Sequence, residues 1–425
     1  MSKHNLGWPF GRSLRLQVAI IWMATTILAL AVFKFYSIGT NSAQIIMYTA
    51  IGCFLASLFG VNVIKNFGSY PGVEQFFYII PAFCVSYGSL LAVLVFARFP
   101  YSRFVLTGSF AVSIVLYAAA HALLRRHMTL RIGVVAEGDY SSLLHASGIN
   151  WLILSRPGEE LSNLDAVSVD LWCDLSDEWE RELASLALRG IPVYHSKHLQ
   201  ESLTGKVQIK QLSENNFGTL SPLRGYMNVK MAIDWVVALI ALIALFPVLA
   251  IVSLAIKLDS SGQVIFRQIR IGYRGEEFWI YKFRTMTAIP EDGTTADGAR
   301  NAAMTRDNDQ RVTRVGKFLR HSRLDELPQL INVLRGEMSW IGPRPEAEVL
   351  SRWYENEISF YRYRHIVRPG ITGWAQVHQG HVADVDQVRE KLNFDFYYIK
   401  NFSLWVDIIV VARTIRTILT GFGSR

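Results

Sequence analysis

The sequence predicts a membrane α plus α/β protein: a four-helix transmembrane unit over residues 1–128, a Rossmann-like cytoplasmic domain over 129–218, and an α-rich domain over 219–425 anchored by a re-entrant membrane helix at 231–256. Three observations carry that prediction. The chain of 425 residues is 51% hydrophobic and only 18% charged, a balance that belongs to membrane proteins. Short apolar strands alternate with a helical run between residues 130 and 215. A fifth long apolar run, Met231–Ile256, contains Pro247 and has basic residues on both sides.

Four apolar stretches open the chain, at Val18–Ala31, Ile45–Val63, Phe76–Phe96 and Phe104–Leu124. With their flanks they approach the roughly 20 residues a helix needs to cross a bilayer. A cleaved signal peptide does not fit, because Lys34 and Phe35 follow the first stretch where small residues would be needed. Lys3, Arg12 and Arg15 precede the first stretch, and Arg125, Arg126 and Arg131 follow the last. The positive-inside bias therefore puts both ends of this unit in the cytoplasm. The three cysteines form no paired framework; Cys53 and Cys84 lie in spans, and all three read as packing residues.

The strands of the second domain are RIGVVAEGDY, NWLILS, VSVDLWCDL and IPVYHS, with a helical run at Glu178–Leu188 before the last. A working dinucleotide site would need glycines at the first turn so that backbone approaches a pyrophosphate. That turn reads Val135-Ala136-Glu137-Gly138-Asp139, whose two acids repel phosphate, so a structural or regulatory module is expected. His195 and His198 have no acidic or cysteine companions in sequence and read as surface residues.

Were the fifth run a true span, it would export Arg267, Arg270, Arg274, Lys282 and Arg284. A helix bent at Pro247 instead dips into one leaflet and returns, with Asp234 at headgroup level. Near the carboxy end, Trp405, Ile408, Ile409, Ala412, Ile415 and Leu419 form an apolar face with Asp407, Arg413 and Arg416 off it. That helix either lies in the membrane interface or packs on its own domain.

The segment RLDELPQLINVLRGEMSWIGPRPE sets two adjacent acids, Asp325 and Glu326, at a helix start, with Leu327, Leu330, Ile331 and Leu334 recurring until Gly336. A helix dipole alone favours acids there. Around the pair, however, lie FRQIRIGYRGEEFWIYKFRTM, DNDQRVTRVGKFLRHSR and RHIVRPGITGWAQV, dense in Arg and Lys. Cations from several segments meeting one carboxylate pair suit a multiply anionic phosphate ester. Nucleic acid is a poor alternative and no nucleic-acid partner is expected, since a net charge of +8 is modest for a chain held against an anionic bilayer.

KFRTM, LDELPQLINVLRGEMSWIGPRPE and RPGITGWAQV together resemble the bacterial sugar transferase domain of the large monotopic phosphoglycosyl transferases. The resemblance implies transfer of a sugar 1-phosphate from a UDP-sugar, commonly a hexose such as glucose or galactose, to undecaprenyl phosphate. UMP is released, Mg2+ is required, and exopolysaccharide, capsule or O-antigen assembly begins. It further implies that Asp325 is the nucleophile that forms an acyl phosphate and that Glu326 binds the metal. Arg344, with Pro343 beside it, matches the phosphate clamp, and Lys282, Arg284 and Arg368 match further substrate-binding positions. The turn after the membrane helix departs from the family's SPGPVFFRQ: Ser260–Gln268 has neither proline, which removes a source of rigidity, and Phe246 stands where small members carry serine before Pro247. A membrane-bound nucleotide-sugar dehydratase and an inactive scaffold of a polysaccharide assembly complex are the alternatives. The membrane and middle regions are also large enough to support a homodimer.

Overall fold

The computed structural model describes residues 40–67, 76–125, 130–138, 140–141, 143–144, 149–158, 164–207, 224–287, 311–379 and 384–420, with Ile27, Ala31 and Lys34 as isolated positions. The first expected span, Val18–Ala31, thus lies essentially outside the described residues. The chain forms two compact units, Met1–Gly205 and Lys206–Arg425.

In the first unit, helices α1 (Thr40–Phe67), α2 (Phe76–Phe96) and α3 (Arg103–Arg125) coincide with the second to fourth apolar stretches. With no water in a bilayer core, a polar side chain there must find another. Ser57 Oγ, Tyr87 OH and Ser113 Oγ do so, closing a buried triangle with sides of 2.8, 3.0 and 3.1 Å. One residue from each helix fixes the register of the bundle.

The expected alternation then appears as β1 (Leu130–Val135), β2 (Ile149–Leu154), β3 (Ala166–Val169), α4 (Asp177–Leu188), β4 (Val193–His195) and α5 (Ser196–Thr204). All pairings in the sheet are parallel and the strand order is β2-β1-β3-β4. Trp179, Leu183 and Leu186 of α4 pack on Val135, Val167 and Val169. Gly138 turns the chain after β1 with φ +81, and a Cβ there would lie 2.6 Å from Asp170 Cβ, so Asp170, just after β3, packs closely against that turn. His195 is not a surface residue. Its Nδ1 accepts the Lys197 N–H to cap α5, and its ring packs against Trp172, leaving only His198 exposed.

The second unit is organised on α6 (Arg224–Asp259), which is 36 residues long and runs through Pro247. One face is covered along its length. Ala238 joins Phe278, Ile280, Leu330, Val333 and Met338, while Val252 and Ile256 join Phe283 and Leu319. Ile240, Ile243, Phe246, Ile251 and Leu254 are exposed and apolar. Among the described residues, α6 and the three helices of the first unit are long and apolar enough to cross a membrane.

Beside α6 lies an antiparallel hairpin of β5 (Ile265–Ile271) and β6 (Glu277–Phe283), with Gln268 opposite Ile280. Helix α7 (Arg314–Ser322) follows, its first turn capped by Thr313 Oγ1, which accepts from Gly316 N–H, and by Asp259, which accepts from Val315 N–H. Arg323, in the left-handed region with φ 59, breaks this helix and aims the chain into a tight 3-10 turn, Leu324–Gln329. Helix α8 (Leu330–Leu334) continues from it.

Two short strands, β7 (Ser339–Ile341) and β8 (Gly370–Thr372), pair in parallel. They bring the IGPRP and RPGITG motifs together backbone to backbone: a Cβ on Gly342 would lie 2.2 Å from the Arg368 carbonyl oxygen, and one on Gly370 2.1 Å from Gly342 N. No side chain fits at either position. Helices α9 (Glu348–Glu357), α10 (Trp374–His378), α11 (Val385–Lys400) and α12 (Leu404–Thr420) complete the unit.

Helix α12 is rotated from the expected setting. Its buried residues include Val406, Asp407, Ile409 and Val410, whereas Ile415 is exposed. Asp407 is buried because a partner waits there: Lys230 Nζ is 2.9 Å from Oδ2, and Tyr226 and Tyr398 both donate to the same carboxylate. Arg413 likewise packs inward, meeting His378 and lying over the Trp374 ring. Asp234 is buried as well, accepting a 2.6 Å bond from Ser339 with Lys230 3.6 Å away.

Candidate active site

The acid pair sits in the 3-10 turn rather than in the first turn of an α-helix, and both acids are buried. The turn is held from three directions. Beneath it, Leu330 and Val333 anchor α8 in the core shared with α6 and β6. Beside it, β6 directs Phe278 and Ile280 inward, and Lys282, two residues further along the strand, shares that face. Opposite it stands the GPRP loop after β7.

These elements bring Lys282 and Arg344 onto one oxygen of Glu326: Lys282 Nζ is 2.9 Å and Arg344 Nη2 2.8 Å from Oε1. Burial by itself would raise the Glu326 carboxyl, but the two cations outweigh it and hold the group well below the usual carboxylate range. Burial lowers the Lys282 ammonium, with Glu326 opposing. Asp325 differs from its neighbour. Burial, and then the negative charge of Glu326, push its carboxyl up, while Lys282, Arg344 and Arg323 act the other way. Its Oδ1 is buried with no hydrogen-bond partner. The pair is therefore divided into a firmly ionised, doubly held Glu326 and a poorly solvated Asp325, with Lys282 and Arg344 directed at Glu326.

The GPRP loop is braced from behind. Arg364, almost fully buried, donates through Nη2 to the Arg344 carbonyl at 2.8 Å, lies 2.9 Å from Asp395 and donates to Tyr361 OH at 2.6 Å. Arg270 Nη1 donates to the Pro345 carbonyl at 2.9 Å, and burial brings its guanidinium down to about 10, with Glu346 opposing. Glu346 pairs with Lys391 and faces Arg364 at 3.9 Å. Against the effect of burial, these cations hold the Glu346 carboxyl well below the usual range.

A family profile described as Bacterial sugar transferase matches residues 225–421. The UDP-N-acetylgalactosamine-undecaprenyl-phosphate N-acetylgalactosaminephosphotransferase of Aeromonas hydrophila is 46% identical over 375 residues, covering 88% of this chain and 87% of its own. The chain belongs to the bacterial sugar transferase family. Two UDP-glucose:undecaprenyl-phosphate glucose-1-phosphate transferases match a shorter part. That of Xanthomonas campestris pv. campestris is 44% identical over 183 residues, 43% of this chain and 37% of its own. That of Escherichia coli K12 is 42% identical over 198 residues, 46% of this chain and 41% of its own.

In this bacterial sugar transferase the expected site residues divide into two groups. Lys282, Arg344, Asp325 and Glu326 come together, with Pro343 buried beside Arg344 and its carbonyl accepting from Gly370 N–H. Arg284 and Arg368 have other partners. Arg284 Nη2 donates to the Ser260 carbonyl at 2.6 Å and to Ser260 Oγ at 2.8 Å. It braces the turn after α6 that lost its prolines. Arg368 Nε donates to the Gly336 carbonyl at 2.8 Å, and its guanidinium lies over the Tyr273 ring. It also lines a cavity of about 20 Å3 with Lys230, Asp234 and Ser339, room for a single water.

Sequence reasoning missed Arg270, Arg364, Glu346, Gln329 and Asn332. A signal for the last two was present: Asp325, Gln329 and Asn332 follow each other at steps of four and three, a polar stripe on a helical segment whose remaining inward positions are apolar. Gln329 Nε2, like Asp325 Oδ1, is buried without a partner.

The acid pair suits a divalent cation of the hard type. Among the described residues no cluster of three or more metal-binding side chains exists, but Mg2+ commonly uses one or two carboxylates and completes its shell with water and substrate phosphates. An ionised Glu326 beside the orphaned Asp325 Oδ1 is that kind of donor set.

Proposed function

We propose that this transferase moves a sugar 1-phosphate from a UDP-sugar to undecaprenyl phosphate through a covalent intermediate on Asp325, at the cytoplasmic face of the bacterial inner membrane, and so initiates assembly of an exopolysaccharide, capsule or O-antigen. The observation that supports this most is the division of labour within the acid pair: Glu326 is held by Lys282 and Arg344, while Asp325 Oδ1 is buried and unpartnered. An unsolvated carboxylate oxygen is a stronger nucleophile than a hydrated one.

In the first step an Asp325 oxygen bonds to the sugar-bearing phosphorus and the bond from that phosphorus to the UMP oxygen breaks. UMP departs with that electron pair. In the second, a phosphate oxygen of undecaprenyl phosphate attacks the same phosphorus, the acyl-phosphate bond breaks, and the Asp325 carboxylate is restored. Lys282 and Arg344 are suited to steadying the diphosphate oxygens as charge shifts toward UMP. Glu326 would hold Mg2+, which supplies Lewis-acid stabilisation of the departing phosphate when bound.

Among sugars, N-acetylgalactosamine ranks first in this reading. The relative that matches 88% of the chain acts on UDP-N-acetylgalactosamine, whereas the glucose-1-phosphate transferases quoted match less than half of it. The plain hexose expected from sequence ranks second. A screen of UDP-sugars scored by UMP release decides the order, and enzyme given its UDP-sugar without acceptor should release UMP in an amount limited by enzyme and retain sugar phosphate on Asp325 by peptide mass. Absence of that adduct during turnover defeats the covalent route.

The reading also includes re-entry of α6. Its early residue Ala238 and its late residues Val252 and Ile256 pack on elements of one compact unit, which supports both ends facing one compartment. The amino-terminal parallel sheet is read as a Rossmann-like module without a nucleotide, and a homodimer is read from size alone, tested by native mass measurement in nanodiscs.

A further inference from the structure

Asn332 is fully buried in α8, on the helix that continues from the acid pair. Its side chain makes three hydrogen bonds. Oδ1 accepts the Tyr281 N–H at 3.1 Å, and Nδ2 donates to the Trp279 carbonyl at 2.7 Å and to Glu337 Oε2 at 2.7 Å. Trp279 and Tyr281 are two residues apart on β6, so the C=O of one and the N–H of the other point from the same strand edge. In a parallel ladder a neighbouring residue bonds to that same pair of groups with its own N–H and C=O. The Asn332 amide thus substitutes for a strand residue along the edge of β6 that β5 leaves open. Its backbone carbonyl also accepts from the Glu337 and Met338 N–H groups, so the side chain's third partner is tied to the same turn.

The next residue after Tyr281 is Lys282, whose ammonium is 2.9 Å from Glu326. We propose that Asn332 is a positioning residue that sets the register of β6 against the acid-bearing segment and thereby fixes Lys282 on Glu326 for the transfer chemistry. This rests on the transferase reading above. Only a primary amide of this length supplies donor and acceptor to the two strand groups at once. Aspartate has no donor and would set a charge against the Trp279 carbonyl and Glu337. Alanine would leave both strand groups buried and unpaired.

The test uses the full-length protein in nanodiscs, with UDP-N-acetylgalactosamine or whichever UDP-sugar the screen selects, undecaprenyl phosphate and Mg2+, following UMP. Asn332→Asp should lower kcat at least tenfold while KM for the UDP-sugar stays within threefold, because the amide governs the reacting end and not the sugar or uridine. Val388→Ala, a core truncation in α11, serves as the stability control and should keep kcat within twofold. If both variants lower kcat alike, or if the whole loss falls on KM, Asn332 is merely structural and the proposal is overturned. Should Asn332→Asp fail to fold, Glu337→Ala and Glu337→Gln replace it. The alanine variant, which releases one side of the amide, should lose three- to tenfold in kcat, and the glutamine variant, which keeps an acceptor, should lose less; equal values overturn the proposal. A wild-type protein silent with every UDP-sugar instead overturns the transferase reading itself, and the positioning role with it.

Discussion

Lys230, near the start of the membrane helix α6, and Asp407, in the first turn of the last helix, form a buried ion pair of 2.9 Å. Asp234 is a second acid 3.6 Å from the same ammonium. The Lys230 ammonium therefore serves two acids and ties the base of α6 to α12. Lys230→Met strands both carboxylates and should destabilise the unit by about 3–5 kcal/mol. Asp407→Asn keeps one acceptor oxygen, enough for Tyr226 or Tyr398 but not both, and leaves Lys230 with Asp234, so its cost should be smaller, about 1–3 kcal/mol. Thermal unfolding in detergent checks the order; equal losses would mean that the pair is not the hub.

Arg284 separates two duties. As a brace on Ser260 it should cost stability when replaced by Met, by about 1–3 kcal/mol for hydrogen bonds made by a charged group, with kcat/KM falling less than about tenfold. As a substrate-binding cation it would instead lose about 100-fold in kcat/KM with unchanged unfolding. Paired melting and UMP-release measurements decide between the two.

Asp325→Asn should abolish UMP release and raise stability. The wild-type fold resists the Asp325 charge, since burial and Glu326 push that carboxyl up. An amide removes the penalty, so Tm should rise. Loss of activity together with a lowered Tm would point to a structural role instead.

The same shift fixes the sign of the pH dependence. Asp325 is raised, so its contribution to stability is present below its unfolded value, about 3.9, and is lost as pH rises through its folded value. Glu326 and Glu346 are depressed, so theirs is present above the unfolded value, about 4.3, and is lost as pH falls through their folded values. On the covalent reading Asp325 must be ionised to attack, so UMP release without acceptor should rise with pH along a limb centred above about 3.9, while Glu326 stays charged throughout. A limb at or below the ordinary aspartate value would contradict this division.

Cysteines introduced just before Lys230 and just after Lys257 should both react with an impermeant thiol reagent from the cytoplasmic side alone. Reaction of the second position from outside would establish a crossing helix and end the re-entrant reading. Pro247→Leu should shift α6 toward crossing, since it restores the missing backbone donor and removes the ring clash.

What the sequence determined by itself is what local periodicity encodes. The three described membrane helices of the first unit fall on their apolar stretches, and the parallel strands fall on their short apolar runs. These follow from hydropathy and backbone geometry acting over a few residues. The DELPQ and GPRP motifs also pointed to one site, and Glu326 and Arg344 do meet there. Tertiary structure decided which charge meets which. Asp407, read as lying off the apolar face of its helix, is buried because Lys230 reaches it from another helix. Arg284 turned to Ser260, while Lys282, on the same strand, reached Glu326. Asn332, lost in an apolar pattern, pairs with a strand edge distant in sequence. Electrostatic and hydrogen-bond partners are chosen by distances of about 3 Å in space, and no spacing along the chain records them.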